Sequence, residues 1–168
     1  MTKTVLVAYG SKHGATADIA QKIAEVLRSE KISVDVQSTD NDADLEKYDA
    51  VILGAGVYIG KWVKSAEKIL KKNSANLEGK KIWFFSSGPT GDKDPADLAQ
   101  GWRFPNNLQS IADLLKPVDT ILFHGFLNPN RMSGFEKWIT KNANAPHGDF
   151  RNWDSIEIWA RKIAEHLY

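Results

Sequence analysis

The stretch "TVLVAYGSKHGAT" (residues 4–16) sets a short, β-branched apolar run against a turn that holds two glycines, Ser11 and Thr16 and almost no bulk. Beyond the turn, Ala15, Ile19, Ala20, Ile23, Val26 and Leu27 recur at helical spacing over 14–29, with charges on the opposite face. A buried strand, a small-residue turn and an amphipathic helix follow one another directly. Such a junction is the opening unit of a parallel α/β sheet.

The rest of the chain repeats the alternation. "ISVDVQS" (32–38) alternates apolar and polar residues, as an edge strand does. "AVILGAG" (50–56) and "KIWFFSSG" (81–88) read as buried strands, and "TILFHGF" (120–126) as the last one. Between them, Trp62, Val63, Ala66, Ile69 and Leu70 define a helix whose lysines at 61, 64, 68, 71 and 72 face water, and 106–115 forms a shorter helix. Residues 153–167 close the chain as a helix with an apolar face from Trp153 to Leu167, and Asp154 with Glu157 reads as its capping box. Five strands with intervening helices predict a three-layer α/β sandwich with a five-stranded parallel sheet of order 2-1-3-4-5. All 168 residues form a single domain. Ligands of such sheets bind beyond the carboxyl ends of the strands, near strands one and three.

Composition narrows the chemistry. Lysine plus arginine (22) nearly balances aspartate plus glutamate (21), so the net field steers neither nucleic acid nor an acidic membrane. No run reaches membrane-spanning length and no signal-peptide core opens the chain, which reads as cytoplasmic. The chain contains no cysteine, so disulfides, iron–sulfur ligation and thiol catalysis are excluded. Redox chemistry would therefore be carried by a bound organic cofactor.

Three loops meet at the expected crevice, and they are the stretches richest in glycine and hydroxyl residues: 10–16, 55–62 and 86–92. The strand ends read "AYGS" and "LGAG", without the carboxylates a magnesium-binding phosphoacceptor needs. "GSKHGAT" lacks the spacing and the terminal Lys-Ser/Thr of a P-loop. "GAGVYIG" (54–60) carries one residue too many for a dinucleotide fingerprint and follows the wrong strand. A phosphate at a helix N-terminus fits instead: the amides of Lys12, His13, Gly14, Ala15 and Thr16 can face one anion, with the hydroxyls of Ser11 and Thr16 beside them. The same residues also serve an ordinary helix cap. In the second loop Gly56, Val57, Tyr58, Ile59 and Gly60 offer peptide groups beside an aromatic face, suited to a flat heteroaromatic ring. Tyr58 is the better stacking candidate there, because Trp62 shares the apolar stripe of its helix. In the third loop Ser87, Gly88, Pro89, Thr90, Gly91 and Asp92 offer hydroxyls and amides to a ring's polar edge, or form a plain Gly-Pro turn. Together the loops describe a mononucleotide with a large heterocycle.

At these residues the chain resembles the flavodoxin superfamily, whose phosphate loop reads [ST]-x-T-G-x-T. "SKHGAT" keeps Ser11, Gly14 and Thr16 and has His13 in place of the central threonine. "YGSKHGAT", "YDAVILGAGVYIG", "FFSSGPTGD" and "GDFRNWDSIEIWARKIA" are similar to the flavodoxin-domain group that includes menaquinone-dependent protoporphyrinogen IX dehydrogenase. The resemblance implies a flavodoxin-like fold and one non-covalent flavin mononucleotide (FMN). Its phosphate would lie on residues 11–16 and its ring between the 55–62 and 86–92 loops. A peptide within Gly56–Gly60 would turn to meet the proton gained at flavin N5. It also implies electron exchange with a redox partner protein or a quinone, as carrier or as FMN-dependent oxidoreductase, with an aromatic or tetrapyrrole substrate in the enzymatic case. A non-redox binding module on the same fold is the alternative of a different class.

Lys12 and His13 depart from the neutral phosphate loops of flavodoxins, and a cation there predicts a less negative flavin potential; the alternative is that both side chains simply point to solvent. The connection at about 126–152 is too long for a plain loop, which suggests a lid or binding segment. Within it "FEKWITK" (135–141) can form a helical turn with Phe135, Trp138 and Ile139 on one side. These aromatics either cap the open end of the core or, with Arg131, Lys137, Lys141 and Arg151 nearby, accept an aromatic, acid-bearing substrate or dock a partner. The acid-rich 39–49 reads as a solvated loop, and the four histidines show no metal-ligand spacing.

Overall fold

A computed structural model describes residues 3–168. Strand β1 (Thr4–Gly10) alternates its side chains between two cores: Val5 and Val7 join one, Leu6 and Ala8 the other. The first core lies under α1 (Ala15–Ser29) and α6 (Trp153–Leu167), and the second under α2 (Lys64–Leu77) and α4 (Gln109–Leu115). Both faces of the sheet are therefore dry, which explains why its central strands read as unbroken apolar runs.

The parallel strands are β2 (Ser33–Ser38), β1, β3 (Ala50–Tyr58), β5 (Lys81–Ser87) and β6 (Asp119–Phe123), in that spatial order. With β4 (Lys61–Trp62) set aside as a short antiparallel partner of β3, this is the expected order 2-1-3-4-5. Among the described residues no helix is long and apolar enough to cross a membrane.

The structure departs from the sequence reading at several strand and helix ends and at one cap. Strand β3 runs to Tyr58 because it folds back on β4, so Trp62 belongs to a hairpin rather than to the following helix. Trp62 is nevertheless core: it is buried, meets Phe84 and Phe104 edge-on at 5.8 and 5.1 Å, and donates Nε1–H to Ser86 Oγ at 2.8 Å. The last parallel strand stops at Phe123, and Phe126 enters a separate ribbon. Helix α6 is capped by Asn152, whose side chain accepts from Ser155 N–H at 3.1 Å. Glu157 bonds Arg161 instead of closing a capping box with Asp154.

The segment between β6 and α6 carries structure of its own. Its ends pair as a two-stranded ribbon, β7 (Phe126–Leu127) with β8 (Gly148–Asp149). Between them lie a 3-10 turn at Pro129–Arg131 and helix α5 (Gly134–Asn142). A short helix α3 (Pro95–Leu98) follows the β5 loop.

Candidate functional site

The turn between β1 and α1 is held open by its own side chains. Gly14, the N-cap, sits at φ +91°, a left-handed conformation that glycine adopts without a Cβ penalty. No side chain caps the helix, so capping alone does not account for the hydroxyl residues. Ser11 Oγ accepts from Gly14 N–H at 2.9 Å and braces the turn from within. The first helical bond runs from Asp18 N–H to the Gly14 carbonyl at 3.3 Å, which leaves the amides of Ala15, Thr16 and Ala17 ahead of any helical acceptor. Thr16 is buried and its hydroxyl is engaged with Ser87 Oγ at 2.9 Å, tying α1 to the end of β5. Thr16 therefore presents its amide outward and spends its hydroxyl inward.

The second expected loop is a tight hairpin. Val57 pairs with Trp62 and Tyr58 with Lys61, and the Gly56 carbonyl accepts from Val63 N–H at 3.2 Å. Ile59 (φ +52°) and Gly60 (φ +69°) form the turn, both with the positive φ of a type I′ connection. A β-branched residue rarely occupies this region, yet Ile59 does so with 74% of its surface exposed. Of the peptides between Gly56 and Gly60, only those of this turn lie outside the ladder. Tyr58 is half-buried with Lys12 Nζ 5.3 Å from its ring centroid. Burial, and then the charge of Glu136, push the Tyr58 hydroxyl up to about 12.

The third loop turns mostly to other work. Gly88 N–H donates to the Phe123 carbonyl at 3.2 Å and Gly125 N–H to the Pro89 carbonyl at 2.9 Å. Gly91 packs toward Leu98 and Pro146, and Asp92 is exposed. Thr90 is buried and its Oγ1 has no hydrogen-bond partner.

The segment after β6 reaches across the strand ends to the first turn. Glu136 of α5 is buried and bonds both residues that set this turn apart: Lys12 Nζ to Oε1 at 2.7 Å and His13 Nε2 to Oε2 at 2.7 Å. Burial alone would raise the Glu136 carboxyl, but the hydrogen bonds and charges of Lys12 and His13 outweigh it and hold the pKa down to about 2. The sequence expectation of uncompensated positive charge at Lys12 and His13 is thus corrected, since a carboxylate already meets both. Arg131 Nη1 donates to the His13 carbonyl at 2.9 Å, and Arg151 Nη1 to the Ala15 carbonyl at 3.2 Å and Asp18 Oδ2 at 3.0 Å. Glu136 escaped the sequence reading, although "SGFE" (133–136) carries the capping-box pattern and Ser133 Oγ does accept from Glu136 N–H at 3.1 Å. Phe135 and Trp138 do not cap the core. They are 66% and 62% exposed, their rings stacked at 6.2 Å and 18°.

These elements enclose one cleft of about 1360 Å³. Ser11, Lys12, His13, Ala15 and Thr16 line it, as do Val57, Tyr58, Ile59 and Gly88. Gly14, Gly56, Gly60, Ser87, Pro89, Thr90, Gly91 and Asp92 stand outside its lining. The lysines at 61, 64, 68, 71 and 72 are exposed to solvent, as the helical pattern requires, and also border the cleft. Among the described residues no cluster of three or more potential metal ligands occurs.

The structure is thus a doubly wound parallel sheet with an open helix start facing a cleft beyond its strand ends. The chain belongs to the flavodoxin family: the model of the flavodoxin domain matches residues 6–153. It is 23% identical to a protoporphyrinogen IX dehydrogenase [quinone] of Escherichia coli (strain K12), over 96% of this chain and 94% of the relative. Among solved structures, a Streptococcus pneumoniae flavodoxin superposes with a TM-score of 0.64 at 15% identity, covering 97% of this chain and 99% of that one. A variant of the Fusobacterium nucleatum flavodoxin bound to flavin mononucleotide superposes with a TM-score of 0.54 at 20% identity, over 73% and 68% of the two chains.

The donor set suits FMN. Free helix amides and the neutral Ser11 hydroxyl match a phosphate dianion, and the cleft is large enough for an aromatic ring system beside it.

Proposed function

We propose that this chain binds FMN non-covalently and passes electrons through it, either between proteins or from an aromatic substrate toward a quinone. The observation that carries the reading is the uncapped N-terminus of α1 opening on the cleft. When bound, the flavin supplies one- and two-electron chemistry that no side chain here can supply.

The chain's own residues position and insulate that group. The amides of Lys12, His13, Ala15 and Thr16, aided by the α1 dipole and the Ser11 hydroxyl, hold the phosphate. Tyr58 and Gly88 flank the ring, with Tyr58 kept neutral at working pH. The Ile59–Gly60 turn, whose peptides lie outside the ladder, would offer a backbone group to the edge of a bound ring. Glu136 balances Lys12 and His13, so the phosphate loop carries less net positive charge than its sequence suggests. Purified protein will be yellow and bleach reversibly with dithionite, and stripped protein will bind FMN far more tightly than riboflavin. Colourless protein that takes up no FMN overturns the reading in favour of a non-redox module.

Two observations favour an enzyme over a simple carrier. The cleft is larger than a flavin ring requires and is walled by α5, and the E. coli relative matches along nearly its whole length. Turnover of protoporphyrinogen with menaquinone tests this option. Rapid reduction by a reductase without such turnover assigns the chain to electron carriage.

A further inference from the structure

Four basic side chains reach the open turn, and three of them already meet carboxylates. Lys12 and His13 share Glu136, at 2.7 Å each. Arg151 holds Asp18 at 3.0 Å and Asp149 at 2.7 Å and lies against the rings of Phe126 and Trp153. Arg131 differs: among the described residues it has no carboxylate within ion-pair distance. Its guanidinium is nevertheless fixed in place. Nη1 donates to the His13 carbonyl at 2.9 Å and stands 3.6 Å from where a Cβ on Gly14 would lie, at the cap of α1. The side chain lines the cleft, and that bond uses only one of its five N–H groups. The segment that carries it is pinned as well. The Arg131 N–H closes the 3-10 turn on the Asn128 carbonyl at 3.0 Å, and five residues on Glu136 anchors α5 to the same turn.

A cation at this place works against the fold. The start of a helix carries partial positive charge, so a guanidinium is favoured at the other end and repelled here. An anion between the two relieves both.

We propose that Arg131 is a phosphate ligand supplied from outside the turn, and that its charge is what makes the site prefer FMN to riboflavin. The inference rests on the reading above that the cleft receives FMN, and it names the side chain behind that preference. The α1 amides and the Ser11 hydroxyl give hydrogen bonds but no net charge, and Glu136 already answers Lys12 and His13. A phosphate monoester brings a charge of about −1.5 to −2 at pH 7, and Arg131 is the basic group at the turn left to meet it. The planar guanidinium can also give two parallel bonds to phosphate oxygens, which a lysine cannot.

The test uses stripped protein titrated with FMN and with riboflavin, each read from quenching of flavin fluorescence. Arg131→Gln should bind FMN at least tenfold more weakly, with riboflavin affinity unchanged. Arg131→Lys keeps the charge without the fork and should lose about threefold, again for FMN alone; it carries the test if the glutamine variant does not fold. FMN affinity should fall more steeply with rising salt in the unaltered protein than in Arg131→Gln. Failure of the unaltered protein to bind FMN defeats the parent reading. FMN binding that the variants leave unchanged, or FMN and riboflavin weakened alike, defeats this one and leaves Arg131 as a brace for the His13 carbonyl.

Discussion

Helices α1 and α6 are both 15 residues long and share one core, but they begin in opposite ways. At α6, Asn152 accepts from Ser155 N–H and closes the helix with its own side chain. At α1, Gly14 offers no side chain and the first amides stay open toward the cleft. The difference separates a helix start that the fold satisfies by itself from one whose donors have no side-chain partner. An N-terminus costs stability when its donors lack partners, so the open one is an expense that a bound anion recovers.

The strongest way to break this contrast is to give both helices the same carboxylate. Gly14→Asp should weaken FMN binding by about ten- to hundredfold, roughly 1.4–2.8 kcal/mol, because a side chain at this left-handed position strains the turn and its carboxylate repels the phosphate. Asn152→Asp should leave FMN affinity unchanged and stability nearly so, since aspartate caps as well as asparagine. Parallel FMN titrations of the two variants check this; equal losses would erase the distinction between the helix starts.

Removing the cap gives the next effect. Asn152→Ala should cost about 1 kcal/mol and lower the melting temperature by roughly 2–4 °C, with FMN affinity intact.

Acid tests the link between α5 and the open turn. The Glu136 pKa falls from the ordinary 4.5 to about 2 on folding, so its carboxylate stabilises the fold above 4.5 and that contribution is lost as pH drops toward 2. Denaturant melts should therefore show a steeper decline between pH 4.5 and 2 in the unaltered protein than in Glu136→Gln. Identical slopes would mean that the Lys12–Glu136–His13 cluster does not hold in solution.

The smallest effect is expected at the lone hydroxyl. Thr90→Val should leave stripped protein unchanged or up to about 1 kcal/mol more stable, because the buried Oγ1 has nothing to lose. A fall in FMN affinity in the same variant would place that hydroxyl on the flavin.

Much of this was legible in the sequence, for local reasons. The run 4–10 and the helical stripe from Ala15 to Leu27 mark β1 and α1 because periodicity reports burial directly. The five-strand order followed from alternation and handedness. Trp62 was readable as core, though not as a hairpin residue. The Ile59–Gly60 turn lacks the asparagine or aspartate that usually announces a type I′ connection, so the segment looked like a flexible loop.

The sequence by itself determined the layers, the strand order and the place of the cleft, because these depend on patterns read within about twenty residues. Only the tertiary structure decided what the charges do. The partner of Lys12 and His13 is Glu136, more than 120 positions along the chain, and Thr16 spends its hydroxyl on Ser87, 71 residues away. Such pairings depend on which turns the sheet brings side by side, and no local periodicity encodes them.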